Sequence, residues 1–178
     1  FKGLQGYQGL IQMTTSIAER ETATRAALEL LTTTADDVRA AGIKIEVLTG
    51  GGTGTSVIDV ALAGLTELQP GSYIFMDSRY TTIEWPGGAP TPFENALTVL
   101  GTVVSRPATD RCIVDVGYKA ASSDGGLPLP IGLEGVIFSF AGDEHGQLQF
   151  SDITRTPAIG DKVPFIPSHC DTTVNLYD

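Results

Sequence analysis

Three stretches of the 178-residue chain bring together side chains that could do chemistry. The first is Gly51-Gly52-Thr53-Gly54-Thr55, which follows an alternating apolar run and precedes a short apolar segment. A strand, a glycine turn and a helix make the arrangement in which unpaired amides and the helix dipole attract an anion, and threonine hydroxyls can join them. Phosphate binding and a plain tight turn are the two readings of this loop. It lacks both the dinucleotide fingerprint and the Gly-Lys-Ser/Thr of a P-loop, which argues against a nucleoside triphosphate.

The second stretch is Pro167-Ser168-His169-Cys170-Asp171, directly after an apolar run. Residues two apart in an extended segment face the same side. His169 and Asp171 would then reach one divalent cation together, and an imidazole nitrogen with a carboxylate oxygen suits Mn, Zn or Mg. Two protein ligands make an open site with room for water and substrate. The competing reading is an ordinary, partly buried histidine. Cys170 faces the other way in this geometry and is expected to be packed. The third stretch, Asp143-Glu144-His145-Gly146, reads as a hairpin turn; its functional alternative is that Asp143 or His145 orients a metal ligand, its water or a reacting group.

The elements that must position these residues fall into two kinds. Residues 1–12 read as a buried strand and its following loop. Ser16 with Glu19 forms a capping box, Ala23, Ala26, Ala27, Leu30, Leu31 and Val38 give a helical face, and Gly42 stands where a left-handed residue would end it. The Thr32-Thr33-Thr34 run weakens the middle of that helix. A strand over 43–47, a helix over 56–64 and a strand over 72–77 continue the alternation, so parallel crossovers are expected. After Tyr80 the character changes to Pro- and Gly-rich sequence and then to short strand-like runs at 97–105, 111–116, 133–140, 147–150 and 162–166, which predicts an antiparallel domain. The fold class is therefore α/β plus β, with residues 1–85 as the first domain and 86–178 as the second.

Composition narrows the partners. A 42% hydrophobic content suits a globular protein, and a net charge of −10 spread along the chain argues against nucleic acid and anionic membranes. No apolar run approaches the roughly 20 residues of a membrane helix. Two cysteines are too few for a disulfide framework, so a reducing, cytoplasmic location is the default. The chain starts inside a strand and stops just after an apolar stretch, as expected of part of a longer protein. A partial barrel with open edges is not expected to fold alone.

Six segments in order resemble the D-threonine aldolase and D-serine dehydratase-like family. They are Gly3-Leu4-Gln5-Gly6-Tyr7-Gln8-Gly9, Gly51 to Thr55, Glu67 to Asp77, Val114 to Ala120, Asp143 to Gly146, and Ile166 to Leu176. The resemblance implies an alanine-racemase-like (β/α)8 barrel holding pyridoxal 5'-phosphate, followed by a β domain, in a homodimeric enzyme acting on small D-amino acids. It implies that Gly51, Gly52, Thr53, Gly54 and Thr55 hold the cofactor phosphate and that Gln5 and Tyr7 line the cofactor. It also implies that His169 and Asp171 ligate a divalent metal, with Asp143 in its outer shell. The His-X-Asp form looks like the aldolase branch, whereas dehydratases typically show His-X-Cys. Two departures stand out. Gln8 and Met13 lie where many aldolases carry histidines, and the segment with the cofactor-bearing lysine lies outside this chain. The expected reaction is retro-aldol cleavage of a D-β-hydroxy-α-amino acid to glycine and an aldehyde. The alternatives are a D-serine or 3-hydroxyaspartate dehydratase releasing ammonia, and a non-catalytic fragment or complementing chain.

Overall fold

The computed structural model describes residues 1–177, the side chain of Arg155 excepted. Two compact units are present: Phe1–Ile74 with Tyr80–Pro92, and Phe75–Arg79 with the chain from Phe93 onward.

In the first unit, strands β1 (Gly3–Gly6), β2 (Val47–Gly50) and β3 (Glu67–Leu68) form a parallel sheet in the order β1-β2-β3. Helix α1 (Ile17–Ala40) crosses from β1 to β2, and helix α2 (Ser56–Ala61) from β2 to β3. Ser16 caps α1 by accepting from the Glu19 amide at 3.4 Å, and Gly42, at φ 83°, turns the chain out of it. The buried positions of α1 are Arg20, Thr24, Leu28, Leu31 and Ala35, spaced three or four apart. Leu28, Leu31 and Ala35 pack with Ile45 and Leu48 beneath the sheet. Burying each leucine contributes roughly 2 kcal/mol. The threonine run does not interrupt the helix, because the hydroxyls of Thr32 and Thr34 bond back to the carbonyls of Leu28 and Leu30.

The expected strand over 72–77 is not formed. Residues 66–69 already occupy the edge of β2, where the amides of Thr66 and Gln69 donate to Leu48 and Gly50. The chain then makes a 3-10 turn at Ser72–Ile74. The expected strand at 43–47 begins only at Val47 and continues to Gly50, directly into the glycine loop.

The second unit is a six-stranded antiparallel sheet, in the order β6-β9-β4-β5-β8-β7. Its strands are β4 (Val99–Ala108), β5 (Arg111–Val114), β6 (Leu129–Pro130), β7 (Val136–Phe140), β8 (Gly146–Phe150) and β9 (Lys162–Ile166). Strand β4 is shared: its first residues pair with β9 and its later ones with β5, with register shifts on the β5 side. Val103, Cys112, Val114, Val116, Phe138, Leu148 and Phe165 fill the core. Gly146 is required there, since a Cβ would lie 2.3 Å from the Phe138 ring. The five strand-like runs read from the sequence all form; the two-residue β6 was not expected. Helix α3 (Cys170–Val174) follows β9 after three residues. Both cysteines are buried thiols outside any disulfide.

Candidate phosphate loop and metal centre

In the first unit, the backbone from Gly50 to Ser56 is buried and held from below by Gln12. Gln12 Oε1 accepts from the Thr55 amide at 3.2 Å, and its Nε2 donates to Thr55 Oγ1 at 3.0 Å. Thr55 Oγ1 also accepts from the Gly52 amide and donates to Asp59 Oδ2 at 2.6 Å. Close approach forces glycine here: a Cβ on Gly54 would lie 2.0 Å from Gln12 O, and one on Gly52 2.6 Å from Gln12 Oε1. Gly51 sits at φ 70° against Asp59. Burial pushes the Asp59 carboxyl above its ordinary pKa, against the opposing hydrogen bonds from Thr55 and Gly52.

This network divides the five loop residues. The amides of Gly52 and Thr55 and the Thr55 hydroxyl are engaged within the protein, so they shape the loop. The turn at Thr53–Thr55 runs directly into α2, and its first amides, at Thr53 and Gly54, stand at the helical start where no intrahelical carbonyl serves them. Thr53 Oγ1 accepts from the Tyr73 amide at 3.1 Å, which leaves its proton to be donated outward. Two amides and one hydroxyl are a donor set that fits a phosphate. Two buried oxygens close to the C-terminal ends of β1 and β2, Gln8 Oε1 and Thr49 Oγ1, have no partner among the described residues. Such orphaned groups mark that end of the sheet as a place for a polar guest. Gln5 donates to Gln69 at 3.1 Å, and Tyr7 is largely exposed just past β1.

In the second unit, the sequence geometry proposed for His169 and Asp171 is corrected. The segment is not extended through Asp171: His169 is the N-cap of α3, and Asp171 lies in its first turn. The two side chains nevertheless converge, with His169 Nε2 3.2 Å from Asp171 Oδ2. Ligand bonds of about 2.1 Å spanning that separation would subtend about 100°, which suits a divalent ion. Cys170 is packed, as expected. Among the described residues, no group of three His, Cys, Asp or Glu side chains is placed to hold a metal, so the pair would make an open site.

Two residues that the sequence did not point to hold this pair. Asp77 Oδ2 accepts the Cys170 amide, capping α3 where the His169 ring does not. Asp124 Oδ2 sits 2.6 Å from His169 Nδ1. Burial raises the Asp124 pKa, but hydrogen bonds from Ser122, Thr172 and His169 outweigh it and hold the carboxyl well below its usual range. The Asp-Gly-Gly of residues 124–126 carries only a loop signal, and 45 residues separate Asp124 from His169. Asp143 and His145 are exposed on the turn between β7 and β8, where the Asp143 carbonyl accepts from the Lys119 amide and the His145 carbonyl from the Ala141 amide. The four lysines are all committed elsewhere: Lys2 and Lys44 to Glu46, Lys119 to Glu144, and Lys162 to the Thr102 hydroxyl.

Residues 96–178 match the family described as "Putative serine dehydratase domain". A D-threonine aldolase of Arthrobacter sp is 41% identical over the whole chain, which covers 46% of that protein. Over its whole length the chain is similar to the D-threonine aldolase and D-serine dehydratase-like family. A crystal structure of a D-threonine aldolase from Filomicrobium marinum superposes with a TM-score of 0.93 at 36% identity, over 100% of this chain and 47% of that one. An alanine-racemase-like protein of Idiomarina loihiensis shares the fold at a TM-score of 0.81 and 20% identity, over 99% of this chain and 51% of its own. In this family the two units are the C-terminal part of the alanine-racemase-like barrel and the antiparallel β domain that follows it. The chain spans about half the length of the relatives it matches. Among its described residues, no helix is long and apolar enough to cross a membrane.

Proposed function

We propose that the whole protein is a lyase dependent on pyridoxal 5'-phosphate and a divalent metal, cleaving a D-β-hydroxy-α-amino acid to glycine and an aldehyde. The observation that carries this reading is the convergence of His169 Nε2 and Asp171 Oδ2, in a chain whose relatives include a protein named D-threonine aldolase. Residues 1–85 would form the cofactor-binding barrel portion and 86–178 the metal-bearing β domain. The protein would act as a homodimer, as the family resemblance implies, in the reducing cytoplasmic compartment that its few cysteines suit.

When bound, pyridoxal phosphate supplies an electron sink for the pair released as Cα–Cβ breaks, and the divalent cation supplies Lewis acidity at the β-hydroxyl. This chain's own residues bind and orient. The amides of Thr53 and Gly54 and the Thr53 hydroxyl would hold the phosphate, with Gln12, Thr55 and Asp59 fixing the loop's shape. Gln5 and Tyr7 would line the cofactor. His169 and Asp171 would hold the metal, kept in place by Asp124 and the Asp77 cap. Asp143 and His145 would contribute at most from outside this shell. None of the chain's own lysines is placed as a cofactor lysine, so this span alone is expected to be inactive.

Ammonia elimination by a dehydratase is the second reading, favoured by the description of the family matched over 96–178. Assays of the full-length protein with pyridoxal phosphate and Mn2+ separate them. Glycine and acetaldehyde from D-threonine identify an aldolase, whereas pyruvate and ammonia from D-serine identify a dehydratase. Neither set of products would remove both readings. A borohydride-stable cofactor adduct on a lysine of this span alone would overturn its expected inactivity.

A further inference from the structure

A loop with no assigned role, residues 122–125, is docked onto the segment that carries His169. Ser168 Oγ donates to the Ser122 carbonyl at 2.8 Å, and the Ser122 amide donates to Thr173 Oγ1 at 3.2 Å. Thr172 Oγ1 donates to Asp124 Oδ1 at 2.7 Å. Gly125 permits the approach, since a Cβ there would lie 2.7 Å from Ser168 O. The docking leaves the other Asp124 oxygen 2.6 Å from His169 Nδ1.

We propose that Asp124 is the positioning residue of the metal centre: it holds the Nδ1 proton of His169 and so presents the Nε2 lone pair beside Asp171 Oδ2. The proposal rests on reading His169 and Asp171 as metal ligands. A neutral imidazole has one protonated and one basic nitrogen, and its partner decides which is which. With a carboxylate at Nδ1, the proton belongs there. Nε2 then faces the Asp171 carboxylate at 3.2 Å. Two lone pairs in that position repel unless a proton or a metal cation lies between them. A carboxylate behind a ligating imidazole also raises its basicity and fixes its ring plane. The two hydroxyls on the other face of Asp124, from Ser122 and Thr172, keep the carboxylate itself from rotating away.

Asp124→Asn puts an amide against Nδ1 that can donate to it, which allows the tautomer whose Nε2 carries the proton and cannot bind metal. The test is titration of the full-length protein with Mn2+ alone, followed by electron paramagnetic resonance, with thermal unfolding of the metal-free protein as the control. D124N is expected to weaken Mn2+ binding about 10- to 100-fold and to diminish the imidazole nitrogen coupling to bound Mn2+, with the unfolding midpoint retained. Thr172→Val, which removes one anchor of Asp124 without touching the imidazole, is expected to weaken binding several-fold, and it carries the test if D124N does not fold. Affinity within about twofold of the parent in D124N, or in T172V where D124N is not folded, overturns the proposal when His169→Ala abolishes binding. Unchanged affinity in both His169→Ala and Asp171→Asn overturns the metal-ligand reading as well.

Discussion

Asp77 Oδ2 accepts the amide hydrogen bond of Cys170 at 2.9 Å, joining residues 93 positions apart. Its other oxygen accepts from the Arg79 amide at 3.1 Å. Helix N-termini need acceptors for their first amides, and the N-cap side chain is the usual source. Here the N-cap is His169, whose ring makes no capping bond. Because Asp77 takes over that task, the imidazole is available to lie between Asp124 and Asp171.

Asp77→Ala should therefore do damage beyond its own position. Asp77 is fully buried, and truncation removes the acceptor of the buried Cys170 amide and of the half-buried Arg79 amide. The expected loss is roughly 2–6 kcal/mol of stability, at 1–3 kcal/mol for each of the two amides, with the half-buried Arg79 amide at the low end. Denaturant unfolding of the full-length protein measures it. A loss below about 0.5 kcal/mol would show that the cap is dispensable.

The glycine loop yields an internally controlled prediction. Gly54→Ala places a Cβ 2.0 Å from Gln12 O, a backbone atom that cannot rotate aside, whereas a Cβ on Gly71 meets nothing within 4 Å. Gly54→Ala should shift the loop, lower pyridoxal phosphate affinity by about tenfold or more and cost roughly 1–3 kcal/mol. Gly71→Ala should change neither. Cofactor absorbance during titration of the full-length protein reads the first effect, and equal affinities in the two variants would dissociate the loop from the phosphate.

Arg20 makes a different kind of contact. It is wholly buried in the first unit, its guanidinium donates to the carbonyls of Thr14, Thr15 and Glu84, and it lies 5.9 Å from the Trp85 ring centroid. Burial lowers its pKa, against the opposing effect of Glu84. A lysine ammonium cannot reproduce a planar fork across three carbonyls. Arg20→Lys should cost roughly 3 kcal/mol, seen as a lower unfolding midpoint. A midpoint unchanged from the parent would mean that those carbonyls find other donors.

Local signals in the sequence reached what is local in the structure. Ser16 and Gly42 mark the ends of α1, and the glycine cluster sits at the β2–α2 junction, because caps and left-handed turns depend on a few adjacent residues. The antiparallel runs were legible from turn residues and alternation. Residues 72–77 were misread because an apolar run suits a strand only where a sheet edge is free, and 66–69 had taken that edge. His169 and Asp171 were found as a pair, but from the wrong backbone geometry. Asp77 and Asp124 escaped notice because their partners lie 93 and 45 residues away, distances at which one sequence carries no pairing signal. Thr55 is a phosphate donor by type, and its bonds to Gln12 and Asp59, which no sequence pattern signals, tie its hydroxyl into the loop.

Asp59 predicts a pH dependence of stability. It is buried beneath the loop, its Oδ2 is bonded by the Thr55 hydroxyl, and its Oδ1 has no partner among the described residues. Burial raises its folded pKa above the unfolded value of about 3.9. A raised carboxyl pKa means that the folded state holds the proton more tightly than the unfolded chain does. The resulting stabilisation is fully present below the unfolded pKa and is lost as pH rises through the folded one. Asp59→Asn keeps an acceptor for Thr55 and cannot titrate. The stability of the parent minus that of Asp59→Asn should thus fall as pH rises from about 4, by no more than about 1.4 kcal/mol per pH unit, and then level off. Urea unfolding at a series of pH values gives this difference directly. A difference that grows with pH would mean that the hydrogen bonds from Thr55 and Gly52 outweigh burial and keep Asp59 ionised beneath the loop.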